Sequence, residues 1–126
     1  MDFAIFPPRW TVANHTFRPP WFHRNTASEF MGLVFGKYEA KEKGFIPGGA
    51  SLHNTMTAHG PEMEVFERAS QVELKPERIA DDALAVMFES SLMMNPTEYA
   101  LNKMTYDKDY ISVSWKGFKK HFKPPQ

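Results

Sequence analysis

The sequence predicts one mainly β domain over residues 1–126, an antiparallel barrel or sandwich with short helices only after residue 61 and near the carboxyl terminus. Ten prolines in 126 residues favour short extended segments, because proline removes a backbone donor and biases the preceding residue toward extended conformations. Three tryptophans, four tyrosines and eleven phenylalanines favour strands over a helical bundle. The 42% of apolar side chains suits a single core in a chain of this length.

Strands dominate the prediction before residue 61. Prolines at positions 7, 8, 19 and 20 separate short extended segments. Residues 29–41 predict one long strand, central in the sheet, with Gly32 and Gly36 as bulges or points of close approach. Residues 42–51 predict a turn, a short strand and a glycine corner. We expect the loops across residues 47–60 to surround a cavity.

After residue 61 the pattern changes to helix, strand and helix. Residues 61–71 open with proline and acids and repeat apolar residues at helical spacing, which predicts a short surface helix with Glu62, Glu64 and Glu67 on its solvated face. Residues 82–90 return to strand character. Residues 110–122 fit either a strand with a basic helical end or one amphipathic helix, and we favour the helix. The tail at 123–126 should be frayed.

Composition excludes several classes of function. The absence of cysteine removes disulfides, zinc-thiolate sites, iron-sulfur clusters and cysteine nucleophiles, so a metal would need histidine and carboxylate ligands. Fifteen basic and fifteen acidic side chains leave no net field to attract nucleic acid or a membrane surface. No apolar run is long enough for a signal peptide or a membrane span, which predicts a cytoplasmic protein.

Two histidines and a glutamate are candidate metal ligands. His23 and Glu29 are six residues apart, an offset that puts both side chains on one face of an unbroken extended segment. His59 lies in a polar stretch, residues 51–60, that could fold back over the same cavity. Two imidazoles and one carboxylate form the facial triad of non-haem Fe(II) sites, which leaves coordination positions open for substrate and oxygen.

Spacing alone leaves other assignments open. His53 precedes His59 by six residues and competes with it, so one could bind metal while the other orients substrate. Tyr38 is nine residues from Glu29, which predicts opposite faces unless a glycine bulge at 32 or 36 resets the phase. Its ordinary role is a half-buried strand aromatic. Residues 24 and 25 would most often be structural, either supporting ligands or pairing with a carboxylate.

Several segments together resemble the homogentisate 1,2-dioxygenases. They are residues 6–10 (FPPRW), 16–25 (TFRPPWFHRN), 28–33 (SEFMGL), 48–61 (GGASLHNTMTAHGP), 75–80 (KPERIA) and 87–92 (MFESSL). The similarity keeps its order along essentially the whole chain and is most specific between residues 16 and 61. It covers the carboxy-terminal portion of longer family members, so we expect their amino-terminal domain and its acid-base histidine to be absent from this chain.

The resemblance implies a cupin-type, jelly-roll β barrel or sandwich and assigns roles to individual residues. It implies that His23, Glu29 and His59 bind Fe(II). Tyr38 and His59 match residues that contact the substrate. His53 matches a histidine near the bound aromatic ring, where it is a candidate catalytic residue that acts from beside the metal ligands.

The resemblance also implies an activity and partners. Family members cleave the ring of homogentisate with O2 to give maleylacetoacetate, in the breakdown of tyrosine and phenylalanine, and they assemble as trimer-based homo-oligomers. Without a separate amino-terminal domain, we expect this chain alone to turn over homogentisate slowly or not at all.

Two other functions remain open. A non-catalytic cupin module would hold zinc or iron structurally or serve as an assembly unit, although such a site more often has a fourth protein ligand. A cupin isomerase or a gentisate-type dioxygenase would share the ligands but should lack the FRPP and LHNTMT segments.

Overall fold

A computed structural model describes residues 1–10, 21–41, 44–102 and 105–125 of the chain. Three predicted features lie outside these residues: the corner at positions 19 and 20, the first half of the 16–25 segment, and the start of the turn at 42–43. The strands and helices below are those of the described residues.

Antiparallel strands form most of the regular structure, as predicted. The elements are β1 (Asp2–Phe6), β2 (Arg9–Trp10), β3 (Ser28–Phe35), β4 (Ala50–His53), α1 (Met63–Gln71), β5 (Arg78–Ile79), β6 (Leu84–Ser90), α2 (Glu98–Asn102) and α3 (Tyr110–Ser114). Four strands make one sheet in the order β1-β6-β3-β4, and β2 pairs with β5. Within the described ranges the sheets do not close into a barrel, and the arrangement is consistent with a cupin-like sandwich.

Strand β3 lies inside the larger sheet, as predicted, but it is shorter than the predicted 29–41. It ends at Phe35 because Gly36 adopts a left-handed backbone with φ of 81°. A Cβ at Gly36 would overlap the Asp82 carbonyl oxygen and lie 2.6 Å from Ala83 Cα, so this glycine is a point of close approach. The pairing register of β3 with β6 shifts between Leu33 and Phe35, not at Gly32. A Cβ at Gly32 would make only ordinary van der Waals contacts, so Gly32 is not a point of close approach.

The other elements follow the sequence prediction in part. Helix α1 and strand β6 confirm the predictions for 61–71 and 82–90. The predicted helix over 110–122 is wrong beyond Ser114, because Trp115 ends α3 and Gly117 turns with φ of 84°. The predicted strand near residues 45–46 is absent from the described residues, where Gly44 and Gly48 form left-handed turns instead. The sequence did not predict α2.

The two faces of the larger sheet differ in chemistry because side chains alternate along each strand. Glu29, His53 and Glu89 lie side by side on one face, since β3 pairs Glu29 with both of the other two. On the opposite face Phe30 and Phe88 are partly exposed. The polar face therefore carries the groups capable of chemistry. No helix of the described ranges is both long enough and apolar enough to cross a membrane.

Candidate metal centre

A short antiparallel bridge brings His23 and His59 together. Each backbone N–H donates to the other residue's carbonyl at 2.9 Å, and the two imidazole centroids lie 4.3 Å apart. Gly60 allows this approach, because a Cβ there would overlap the ring of Phe22. The bridge thus places two histidines that are 36 positions apart in the sequence at one edge of the cavity.

Glu29 completes a cluster of three donors at the start of β3. One donor atom from each of His23, Glu29 and His59 lies within 4.8 Å of the others. Nε2 of His59 is 3.1 Å from Glu29 Oε2, and Nε2 of His23 is 3.8 Å from Glu29 Oε1. The segment between His23 and Glu29 is not an unbroken strand, because it bends at residues 26–27. The convergence therefore depends on a corner and on the bridge to His59, rather than on the even offset.

Hydrogen bonds on the far side of each ring define the direction of the imidazole lone pairs. Nδ1 of His59 lies 2.9 Å from the Thr57 carbonyl oxygen, and Nδ1 of His23 bonds the Trp21 carbonyl. A carbonyl only accepts, so Nδ1 carries the proton in both rings and Nε2 of a neutral ring is an acceptor. Both Nε2 atoms face the Glu29 carboxylate, which is also an acceptor. A cation or an added proton is required between them, and the donor set fits Fe(II).

Asn25 supports the carboxylate. Its side-chain Nδ2 donates to Glu29 Oε1, and its Oδ1 accepts the Ala27 backbone N–H at 3.0 Å. The second bond forms a local turn that fixes the asparagine relative to the corner. This is the supporting contact expected of position 25, whereas Arg24 is exposed.

His53 lies beside the cluster and outside it. Its ring stacks on His59 at 4.4 Å with an interplanar angle of 10°, and its Nε2 lies 2.9 Å from the Tyr110 hydroxyl. Burial lowers the pKa of His53 to about 4, and the neighbouring His59 adds to the effect. His53 is therefore a neutral imidazole at physiological pH.

The loop between His53 and His59 is held by a half-buried asparagine. Asn54 Oδ1 accepts from the Ser28 hydroxyl at 3.1 Å and from the Met94 N–H at 2.9 Å, and its Nδ2 donates to the Met94 carbonyl at 3.0 Å. Ser28 is fully buried at the start of β3. These bonds couple the histidine loop to the strand that carries Glu29.

Tyr38 faces the same cavity as Glu29. The irregularity before Phe35 and the turn at Gly36 change the phase that a regular strand would have kept. Burial raises the pKa of Tyr38 well above its ordinary value, and the charge of Glu39 adds to the shift. The phenol therefore keeps its proton and is a hydrogen-bond donor.

A cavity of about 310 Å³ adjoins the cluster, close to the lower limit of typical small-molecule sites. Glu62 lines it and pairs with Lys41 at 2.6 Å, with side chains only 11% and 14% exposed, so the prediction of a solvated Glu62 is wrong. Glu62 precedes the first residue of α1 and faces inward. The lining residues are Phe6, His23, Asn25, Glu29, Met31, Tyr38, Ala40, Lys41, Phe45, Ser51, His53, His59, Gly60, Glu62, Met87, Glu89, Tyr110 and Ser114.

Lys41, Tyr110 and Ser114 are among the lining residues that were not predicted to belong to a site. Lys41 reaches the cavity because the chain turns tightly after Tyr38, whose carbonyl accepts the Lys41 N–H at 3.2 Å. Tyr110 and Ser114 arrive from α3, far along the sequence. Their residue types carry no spacing signal toward the histidines.

The comparison with known families agrees with the resemblance noted in the sequence. The family model described as homogentisate 1,2-dioxygenase C-terminal matches residues 1–122. The match includes every residue that lines the cavity.

Proposed function

Because the chain belongs to the homogentisate 1,2-dioxygenase C-terminal family, we propose that it forms the iron-binding part of an enzyme that cleaves homogentisate with O2 to maleylacetoacetate. The observation that carries this proposal is the set of acceptor atoms of His23, Glu29 and His59, which face one another beside a cavity. Such a set is suited to a divalent metal with open coordination positions.

The three residues would hold Fe(II) from one side. When bound, Fe(II) supplies coordination positions at which an aromatic hydroxyl and dioxygen can meet. The backbone carbonyls at Nδ1 keep both imidazoles in the tautomer that presents Nε2, and Asn25 fixes the carboxylate.

Other cavity residues would bind and orient the substrate. Tyr38 retains its proton and donates a hydrogen bond to a substrate oxygen. His53 is neutral and stacked on His59, where it can hydrogen-bond a substrate oxygen near the metal ligands. Met31 and Met87 pair across β3 and β6 and line the floor, where they exclude water from the aromatic ring.

The assembly and cellular setting implied by the family remain predictions. We propose a trimer-based homo-oligomer in the cytoplasm, with residues 1–126 as one domain that acts together with an amino-terminal domain. The exposed Phe30 and Phe88 on the outer sheet face support burial against another surface. Analytical ultracentrifugation of the purified protein tests the assembly.

Anaerobic reconstitution tests the proposed activity. We expect the protein to bind about one Fe(II) per chain and, once an amino-terminal domain is added, to consume oxygen and homogentisate in equal amounts, with maleylacetoacetate as product. The zinc-loaded protein is the control, because zinc has no redox chemistry. Metal binding without oxygen uptake, with an added amino-terminal domain present, would contradict catalysis and support a metal-binding module. Failure to bind metal would contradict the whole proposal.

Replacing Asn25 with alanine should weaken Fe(II) binding by about tenfold to a hundredfold, the usual effect of removing a group that orients a ligand. The substitution removes the donor to Glu29 Oε1 and the local turn at Ala27. Competition with a chelator under anaerobic conditions measures the affinity. Arg24→Ala is the matched control, because Arg24 is the exposed neighbour, and an equal loss in both variants would contradict the assignment.

A further inference from the structure

The Ser114 hydroxyl is a buried polar atom without a partner. It is the buried side-chain oxygen or nitrogen that lacks a hydrogen bond within the part of the chain that the structure describes, and the residue is only 7% exposed. Two other helical serines bond back to their own helix: Ser70 to the Phe66 carbonyl at 2.8 Å, and Ser112 to the Asp109 carbonyl at 2.9 Å. Ser114 instead lines the cavity. Buried hydroxyls are rarely left unpaired, so a bound group is the natural partner.

A buried ammonium group lies at the same end of the cavity. Lys41 is the one lysine or arginine among the described residues that line it. The Lys41 ammonium lies 5.0 Å from the centroid of the Tyr110 ring, and Ser114 follows Tyr110 by four residues on α3, so both residues lie on one helix face. Glu62 accepts one hydrogen bond from the ammonium, which has three donors.

Two further carboxylates line the cavity away from the Lys41–Glu62 pair. Glu29 lies in the cluster of donors, and Glu89 lies opposite it on β6. With a metal held by the cluster, the substrate hydroxyl takes the metal side, and Lys41 is the basic side chain of the described lining that can pair with a carboxylate arm. The hydrogen bond between Tyr110 and His53, and the stacking of His53 on His59, connect the two ends of the cavity.

We propose that Lys41 and Ser114 form a carboxylate subsite, which binds the acidic arm of an aromatic substrate whose hydroxyl lies at the metal cluster. This inference rests on the proposed function and adds the residues that select an acidic substrate. Lys41 supplies a charged donor and Ser114 a neutral one. Glu62 forms an ion pair with Lys41 and repels the carboxylate of an incoming substrate. We therefore expect the subsite to make a moderate contribution to substrate affinity.

A comparison of two ligands tests the subsite. Homogentisate carries the carboxylate arm, whereas methylhydroquinone has the same two hydroxyls and a methyl group in place of that arm. The affinities are measured by calorimetric titration of the Fe(II)-loaded protein without oxygen. Ser114→Ala should lower the affinity for homogentisate by about tenfold, because a hydrogen bond to a charged group is lost. It should change the affinity for methylhydroquinone by less than about twofold. Ser112→Ala, two residues away and exposed, should change neither.

A second variant removes the ammonium without leaving an unpaired buried charge. Lys41→Met combined with Glu62→Gln should lower homogentisate affinity by about tenfold or more while methylhydroquinone binding is retained. Equal losses for both ligands, or no loss for homogentisate in either variant, would overturn the subsite. If the wild-type protein binds Fe(II) but neither homogentisate nor methylhydroquinone, both the proposed function and the subsite are contradicted. If methylhydroquinone binds only with metal and the variants leave the ligand preference unchanged, the subsite alone fails.

Discussion

Replacing Glu29 with glutamine is expected to lower Fe(II) affinity by about a thousandfold, or about 4 kcal/mol. Glu29 is the only negative ligand of the proposed set, and its two oxygens face the Nε2 atoms of His23 and His59. The glutamine amide can donate a hydrogen bond to His59 Nε2. This bond gives the Nε2 acceptor a partner in the metal-free protein and disfavours a cation between the two groups. We therefore expect metal affinity to fall while the free energy of unfolding of the metal-free protein stays nearly constant.

Glu89→Gln is the matched control for this substitution. Glu89 pairs with Glu29 across β3 and β6, lines the same cavity and carries the same charge, but it is outside the donor cluster. We expect its replacement to change Fe(II) affinity by less than about threefold, because only long-range charge is lost. Anaerobic competition with a chelator measures both variants, and urea unfolding of the metal-free proteins measures stability. Similar losses of affinity in both variants would show that net charge, rather than ligation, controls binding.

The fold could be predicted from sequence where local chemistry determines the structure. Pro61 and the acids after it place α1 correctly, and the apolar run at 84–90 forms β6. The errors arise where distant contacts decide an element's end. Strand β3 ends at Gly36 against Asp82, and α3 ends at Trp115.

The end of α3 illustrates how packing overrides a helical pattern. The centroid of the Trp115 ring lies 5.4 Å from that of Phe22 and 5.2 Å from that of Phe118. The turn at Gly117 brings the Phe118 ring back against Trp115 and Phe22. No periodicity within 110–122 contains that information, because Phe22 lies more than ninety residues before Trp115.

The candidate site could likewise be predicted from sequence only in part. Residue type and family resemblance identify His23, Glu29 and His59, since few side chains can ligate iron in a chain without cysteine. The opposite end of the cavity could not be predicted, because Lys41 and Ser114 line the same cavity only through the tertiary packing of α3. The three proposed ligands converge through a corner and the bridge between His23 and His59, and not through the strand spacing that suggested them.

Replacing Gly36 with alanine is expected to lower the free energy of unfolding by about 3 kcal/mol. The left-handed φ of 81° contributes about 1 kcal/mol of strain for a residue with a Cβ. The larger part comes from overlap of that Cβ with backbone atoms of Asp82 and Ala83, which cannot move without shifting the start of β6. Urea unfolding followed by tryptophan fluorescence measures the change.

Gly117→Ala separates the two contributions to this loss. Gly117 has nearly the same φ, 84°, but a Cβ there meets no atom of the described residues within 4 Å, so we expect only the strain of about 1 kcal/mol. The difference between the variants then measures the close packing of the turn after β3 against the segment before β6. Because Tyr38 follows this turn, the Gly36 variant should also bind homogentisate more weakly than the Gly117 variant does. Equal stability of the two variants would show that the approach of these two segments is not tightly constrained in solution.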